Sequence, residues 1–200
     1  MAILVINAGS VTIKYKLFDD DFSCLISGVL DNKKGRFVSE LIKSDIKYEW
    51  EISKEQFDNA PELILNECKD YKINKIGFRI VHGGDKYTED ILLNDKIISD
   101  LEKISALAPL HNPPAIKIIK KFKSIIPDTP FYALFDTGFY SKMPEKAFMY
   151  ALPYEYYQLY KVRRYGFHGI SHNYLYNELK KIEPNAKKVI SCHLGGGASI

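Results

Sequence analysis

The sequence has few cysteines, no long apolar run and no strong excess of either charge. Its three cysteines, Cys24, Cys68 and Cys192, are widely spaced and form no C-x-x-C pair, so reduced thiols are expected. The first apolar run, Ile3 to Ile6, is too short for a signal peptide or a membrane span. These absences predict a cytoplasmic protein without disulfides.

The charges are nearly balanced. The chain has 28 basic and 25 acidic residues, and a net charge of +3 is too small to indicate a nucleic-acid or membrane partner. Four lysines share one predicted helix face and are interpreted as a solvated surface: Lys117, Lys120, Lys121 and Lys123. With 200 residues, the chain fits one large domain, or one domain and the start of another.

Hydrophobic periodicity predicts a mixture of strands and helices. Strands are expected at residues 3–7, 11–17, 25–30, 36–43, 46–52, 75–82, 131–135 and 188–193. Helices are expected near residues 57–71, 96–107, 114–124, 153–160 and 171–182. A β-rich opening followed by alternating elements predicts an α/β fold, with a mixed sheet and helices on its faces.

Two of the predicted strands run into loops of small residues. The first loop is Ala8-Gly9-Ser10, and the second follows His193 as Leu194-Gly195-Gly196-Gly197. Residues without bulky side chains allow backbone N–H groups to approach an anion closely, so both loops are candidate phosphate sites. A Walker-type loop is not indicated, because the first loop leads into a strand and lacks Gly-Lys-Ser/Thr.

Polar residues that could bind a ligand or take part in catalysis lie at predicted strand ends, turns and helix starts. They are Asn7, Lys14, Arg79, Asp136, His82, His111, His168, His172 and His193. Because ligands of α/β proteins bind at the carboxyl ends of strands, we expect them to converge on one cleft. Each also has a purely structural interpretation: Asn7 and Asp136 suit turns or caps, and Lys14 suits a solvated strand face.

Two of these signals can be weighed further. Arg79 interrupts a buried strand and needs an anionic partner, either a ligand or a structural carboxylate. His168 and His172 have the i, i+4 spacing of some zinc ligands. The accompanying glutamate is missing, however, and Gly169 is expected to break the helix, which argues against zinc. Ser171 is expected to cap the following helix.

The order of these stretches resembles the acetate kinase family, within the actin–hexokinase–Hsp70-like (ribonuclease H-like) fold. The stretches are NAGSVTIKYKLFD (7–19), GFRIVHGGDKYT (77–88), LAPLHNPPAI (107–116), FDTGFYSKMPEKAFMYALPYEYY (135–157), RRYGFHGISHNYL (163–175) and CHLGGGASI (192–200). One departure is Gly196, where the family usually has Asn. The triple glycine there is more like that of butyrate kinases.

The resemblance implies reversible transfer of the ATP γ-phosphoryl group to acetate, giving acetyl phosphate and ADP with Mg²⁺. It also implies roles for individual residues. Asp136 and His168 would be catalytic, Arg79 would bind the substrate, and Asn7 would help to hold Mg²⁺. The methyl group of acetate would contact Val81, Leu110 and Phe167. The nucleotide phosphates would contact Lys14, His193, Leu194, Gly195, Gly196 and Gly197.

The resemblance further implies a first domain over residues 1–138 and the beginning of a second, nucleotide-binding domain over 139–200. A homodimer is expected, and neither nucleic acid nor a membrane is an expected partner. Family members continue into the rest of the second domain, so the 200-residue chain alone is expected to have little activity. Three alternatives stay open: a propionate- or butyrate-type kinase, a noncatalytic remnant of the fold, and a histidine-based metal hydrolase.

Overall fold

The computed structural model describes all 200 residues and contains eight strands and seven α-helices. The strands are β1 (Ala2–Ala8), β2 (Thr12–Phe18), β3 (Cys24–Lys33), β4 (Arg36–Lys43), β5 (Ile46–Glu51), β6 (Ile73–Ile80), β7 (Ile91–Leu92) and β8 (Phe131–Phe135). The helices are α1 (Lys54–Asp58), α2 (Ala60–Glu67), α3 (Asp95–Lys103), α4 (Asn112–Ile125), α5 (Glu145–Phe148), α6 (Tyr154–Tyr160) and α7 (Gly169–Ile182). Short 3₁₀ turns cover Ser105–Leu107 and Gly138–Tyr140.

The eight strands form one mixed sheet in the order β5-β4-β3-β2-β1-β6-β8-β7. Strands β1 to β5 form an antiparallel meander, whereas β6 pairs with β1 in parallel. Strand β1, which contains the first apolar run, therefore joins the antiparallel meander to β6, the strand that follows helix α2. The predicted α/β class and the mixed sheet are confirmed.

The chain divides into two compact units. The first contains Met1–Ile80 and Ile91–Ala133, and the second contains Val81–Asp90 and Leu134–Ile200. The domain division after residue 138 stays a prediction. None of the helices is long and apolar enough to cross a bilayer.

The core of the first unit lies between the sheet and helices α2, α3 and α4. Alternate residues of β1 and β2, such as Leu4, Ile6 and Leu17, are fully buried, as expected for strands with period-two patterning. Phe78 on β6 packs edge-on against Phe122 of α4, with ring centroids 5.7 Å apart. These aliphatic and aromatic contacts fix the positions of β1 and β6, whose carboxyl ends carry the candidate site residues Asn7 and Arg79.

The structure corrects several details of the predicted elements. The helix expected over 96–107 ends at Lys103, before a separate 3₁₀ turn, and α5 was not predicted. The helix expected over 57–71 is two helices that break at Asn59, because Pro61 lies in the first turn of α2 and cannot continue a helix from α1. Strand β7 was not predicted, since two residues are too few to show a period. Helix α7 begins at Gly169, so Gly169 does not break the helix and Ser171 does not cap it.

A further correction concerns the strand expected at 188–193. This segment is not a strand, and its only ladder contact is an isolated bridge between His193 and Ser199. A strand needs a hydrogen-bonded neighbour along its length, and Ile190 is 85% exposed with no such neighbour. The apolar run therefore leads to the glycine loop as irregular chain.

Candidate functional site

The turn after β1 has the backbone geometry of a tight hairpin. Gly9 N–H donates to the carbonyl of Thr12 at 2.8 Å, and a Cβ at Gly9 would lie 3.2 Å from that same oxygen. Asn7 is half-buried at the end of β1, and exposed Lys14 is its partner on β2. The hairpin thus presents an amide and an ammonium group beside a loop of small residues.

Arg79 and Asn7 are brought together by the parallel pairing of β1 and β6. Ile6 pairs with Phe78, so the next residue of each strand lies at the same end of the sheet. The Arg79 guanidinium donates to the Asn7 amide oxygen at 3.0 Å, and Arg79 is half-buried. The register of the two strands therefore brings together side chains that are 72 residues apart in the sequence. The hydrogen bond to Asn7 orients the Arg79 guanidinium.

Two other predicted residues of the first unit, Leu110 and His111, lie directly before α4. Leu110 lies in the turn before α4 and is 70% exposed. His111 is the N-cap residue of α4, without a side-chain capping bond. Buried Asn112 follows it as the first helical residue. The roles implied for Leu110 therefore stay predictions.

In the second unit, His82 is held between a backbone donor and aromatic rings. Gly84 N–H donates to His82 Nδ1 at 2.9 Å, and the ring meets Tyr165 edge-on at 4.5 Å between centroids. Burial lowers the pKa of His82, while nearby Asp85 acts in the opposite direction. The neutral ring therefore carries its proton on Nε2. Phe167 lies on the same aromatic cluster, with its centroid 6.1 Å from that of His82.

Tyr165 is a residue that sequence reasoning missed. Its hydroxyl donates to the Asp85 carboxylate at 2.8 Å, and burial together with that carboxylate raises the pKa of Tyr165. The signal in the sequence was weak, because a tyrosine beside Gly166 is not distinguished from the other 13 tyrosines. Tyr165 nevertheless packs against His82, which directly follows Val81, a buried residue of the predicted methyl pocket.

Asp136 and His168 are joined through the start of α7. Asp136 follows β8 directly and is 1% exposed, and its carbonyl accepts a hydrogen bond from Gly169 N–H at 3.0 Å. A Cβ at Gly169 would lie 2.0 Å from that oxygen, so only glycine fits there. His168 precedes it in the left-handed region, with φ 57°. The close backbone contact holds His168 beside the end of β8.

The glycine loop near the end of the chain packs beside the same histidine. The bridge between His193 and Ser199 closes the loop, and its three glycines are exposed. The rings of His168 and His193 stack with centroids 4.1 Å apart and an interplanar angle of 13°. Three serine hydroxyls, from Ser171, Ser191 and Ser199, bond to the imidazoles of this cluster.

Metal-ligating side chains do not gather into a centre. No group of three or more His, Cys, Asp or Glu side chains has the proximity to hold a metal ion. His168 Nδ1 and both nitrogens of His172 instead lie within hydrogen-bond distance of serine hydroxyls. The three cysteines form no disulfide, and Cys68 is buried, where desolvation raises the pKa of its thiol to about 12.

The chain matches the model of the acetokinase family over residues 2–200. It is 42% identical over 214 residues to the acetate kinase of Thermosipho africanus, covering all of this chain and 53% of the relative. It is also 42% identical over 217 residues to acetate kinase 2 of Clostridium perfringens, covering 54% of that protein. The chain therefore spans about half the length of the relatives it matches.

Solved structures give the same result for the fold. The crystal structure of Porphyromonas gingivalis acetate kinase superposes with a TM-score of 0.88 at 32% identity, covering 98% of this chain and 53% of that one. A propionate kinase from Francisella tularensis gives a TM-score of 0.89 at 34% identity with the same coverage. The fold expected from the resemblance is thus confirmed, and the chain belongs to the acetokinase family.

Proposed function

We propose that this chain forms the acceptor-binding part of a carboxylate kinase that transfers the γ-phosphoryl group of ATP to acetate. A carboxylate oxygen attacks the γ-phosphorus, the bond to the β,γ-bridging oxygen breaks, and acetyl phosphate and ADP are released. The observation that carries the proposal is the Arg79–Asn7 pair at adjoining strand ends. A guanidinium keeps its charge near neutral pH, and its fork of donors matches carboxylate and phosphate oxygens.

The pair suits anion binding for a geometric reason. Asn7 accepts a hydrogen bond from one nitrogen of the Arg79 guanidinium through its amide oxygen, which orients the fork of donors. Lys14, on the neighbouring strand, is proposed to bind nucleotide phosphates as an exposed point charge.

Asp136 and His168 are proposed to serve the reacting groups. A carboxylate nucleophile is already ionised at neutral pH, so no strong base is required and Asp136 is assigned to orienting rather than to proton abstraction. His168 is proposed to stabilise the transferring phosphoryl group, whose charge is spread over its equatorial oxygens. Their support is the Gly169–Asp136 backbone bond, which places both residues at one end of β8.

The glycine loop is proposed to bind the nucleotide phosphates through His193, Leu194, Gly195, Gly196 and Gly197. Its glycines are exposed, so their backbone N–H groups are approachable by an anion. Mg²⁺ accompanies ATP and keeps several waters, with few protein oxygens and the phosphates as its other ligands. Asn7 is proposed to help hold Mg²⁺, as the family resemblance implies. When bound, Mg²⁺ neutralises phosphate charge.

The acyl group is proposed to contact Val81 and Phe167, which lie near the His82 aromatic cluster, and Leu110. A longer carboxylate is the second candidate substrate, supported by the similarity to a propionate kinase. Acetate or acetyl phosphate with ATP or ADP are therefore the proposed small-molecule partners. A homodimer in the cytoplasm completes the proposal and rests on the family alone.

Binding of acetyl phosphate tests the proposal without depending on turnover. Isothermal titration should show binding to the unchanged chain and a loss of affinity of about tenfold or more for Arg79→Ala, because a charge-assisted contact is removed. Arg79→Lys should be intermediate, since it keeps the charge but loses the fork. The matched control is Arg36→Ala, at an exposed arginine of the same unit that pairs with Glu51.

Absence of binding by the unchanged chain, or equal binding by Arg79→Ala and Arg36→Ala, would contradict the proposal. Titration with propionyl phosphate distinguishes the two substrates: tighter binding of acetyl phosphate supports acetate. A preference for propionyl phosphate would instead favour the longer acceptor.

Turnover is a separate prediction. Hydroxamate formation from acetate, ATP, Mg²⁺ and hydroxylamine should be weak or absent with this chain, because it spans about half the length of its relatives. Clear turnover by the chain would contradict that expectation, and it should then fall in Arg79→Ala.

A further inference from the structure

One serine hydroxyl lies between two imidazole rings of the histidine cluster. Ser199 Oγ is 2.9 Å from His168 Nδ1 and 2.8 Å from His172 Nε2. The other nitrogen of the second ring, His172 Nδ1, lies 2.5 Å from Ser191 Oγ. The four side chains therefore form a continuous row in the order Ser191, His172, Ser199, His168.

The supply of protons restricts this row to two arrangements when both rings are neutral. A hydroxyl has one proton, so Ser199 donates to one imidazole and accepts from the other. If Ser199 donates to His168 Nδ1, then His168 carries its proton on Nε2 and His172 donates through Nε2. If Ser199 donates to His172, both rings carry their protons on Nδ1, and His168 Nε2 becomes an acceptor.

The two arrangements differ in whether His168 Nε2 can donate a hydrogen bond to a group in the glycine loop. A Cβ at Gly197 would lie 3.4 Å from both Nε2 and Cε1, so this edge of the ring faces the glycine loop. That loop is the proposed phosphate site. An unprotonated nitrogen repels a phosphate oxygen, whereas an N–H group donates to it.

We propose that Ser199 is a positioning residue that holds His168 as the Nε2–H tautomer, by donating its hydroxyl proton to His168 Nδ1 while it accepts from His172 Nε2–H. The choice of direction rests on the proposed function, because it is the anion that requires a donor at Nε2. The row itself rests only on the three distances.

Neighbouring contacts keep this row in place. Ser199 exchanges two backbone hydrogen bonds with His193, at 2.9 and 3.0 Å, and the His193 ring stacks on the face of His168. His172 is 4% exposed, with both nitrogens hydrogen-bonded. The backbone bonds of Ser199 would persist without its hydroxyl, so its side chain and its place in the loop can be tested separately.

Nitrogen NMR of histidine-labelled chain measures the tautomer directly. At a pH of about 8, where an ordinary imidazole is neutral, His168 should be the Nε2–H form in the unchanged chain and in Ser199→Thr, which keeps a hydroxyl. In Ser199→Ala the ratio of the two tautomers should shift about fivefold, the equilibrium effect of one ordinary hydrogen bond. Ser171→Ala should leave His168 unchanged, since Ser171 bonds to His193 Nδ1 at 3.0 Å.

Two results would overturn the proposal: the Nδ1–H form of His168 in the unchanged chain, or the same tautomer ratio in Ser199→Ala. The first readout needs no variant, so it can overturn the proposal even where Ser199→Ala does not fold. The acetyl phosphate titration stands apart from both. A chain that fails to bind acetyl phosphate but shows the expected tautomers would reject the proposed function and keep the positioning role of Ser199.

Discussion

Glu67 is a half-buried carboxyl that the sequence did not single out. It lies at the end of α2, where the Tyr15 hydroxyl donates to one of its oxygens and the Ser39 hydroxyl donates to the other at 3.3 Å. Burial raises its pKa to about 7 from an ordinary value of 4.5. Helix α2 is thus held on the sheet by a carboxyl that is partly protonated near neutral pH.

This raised pKa predicts how stability depends on pH. Between pH 4.5 and about 7 the folded chain retains a proton at Glu67 that the unfolded chain releases, so the free energy of unfolding falls as pH rises through this window. The loss is complete above about pH 7. Glu67→Gln removes this pH dependence. The free energy of unfolding of the variant, compared with that of the unchanged chain, should therefore be ~1–2 kcal/mol more favourable at pH about 8 than at pH about 5, after allowance for partial solvent screening.

Urea unfolding at the two pH values measures this change. Glu62→Gln is the matched control, at an exposed residue in the first turn of the same helix, and should alter the pH dependence little. An unchanged pH slope in Glu67→Gln would contradict the assignment.

Gly196 is one of the positions where the sequence is expected to depart from its family. Nothing lies within 4 Å of a Cβ placed there, so a side chain fits without moving its neighbours. Gly196→Asn should therefore add an amide donor to the loop and tighten pyrophosphate binding about fivefold in a calorimetric titration. Equal affinity of Gly196→Asn and Gly196→Ala would show that the loop does not bind phosphate through this position.

At the scale of elements, the junction between β8 and α7 depends on one glycine. Because a Cβ at Gly169 would collide with the Asp136 carbonyl, we expect Gly169→Ala to destabilise the chain by ~2 kcal/mol in thermal unfolding. Gly196→Ala is the control and should unfold like the unchanged chain. A fully stable Gly169→Ala variant would mean that α7 does not start against β8.

The elements that sequence predicted well are those with a clear period and strong boundaries. The alternation in β2 and the apolar run of β1 were sufficient, because each strand buries alternate residues in the core. The segment 188–193 has the same apolar character, yet it has no neighbouring strand and stays irregular. Residue pattern gives the tendency to form a strand, whereas a partner is required to form one.

At the scale of the whole molecule, sequence order could predict that Asn7 and Arg79 lie at strand ends but not that they touch. Their contact follows from the parallel register of β1 and β6, which is a long-range pairing. The serine hydroxyls of the histidine cluster were beyond prediction for a similar reason. Ser191 and Ser199 reach His172 only because an irregular segment folds back on α7, and no periodicity encodes that path.

A crystal structure of the chain with acetyl phosphate tests the central claim most directly. The account predicts that oxygens of the bound anion lie within hydrogen-bond distance of the Arg79 guanidinium, beside Asn7 at the ends of β6 and β1. An anion bound instead among the lysines of α4, with none at Arg79, would contradict it.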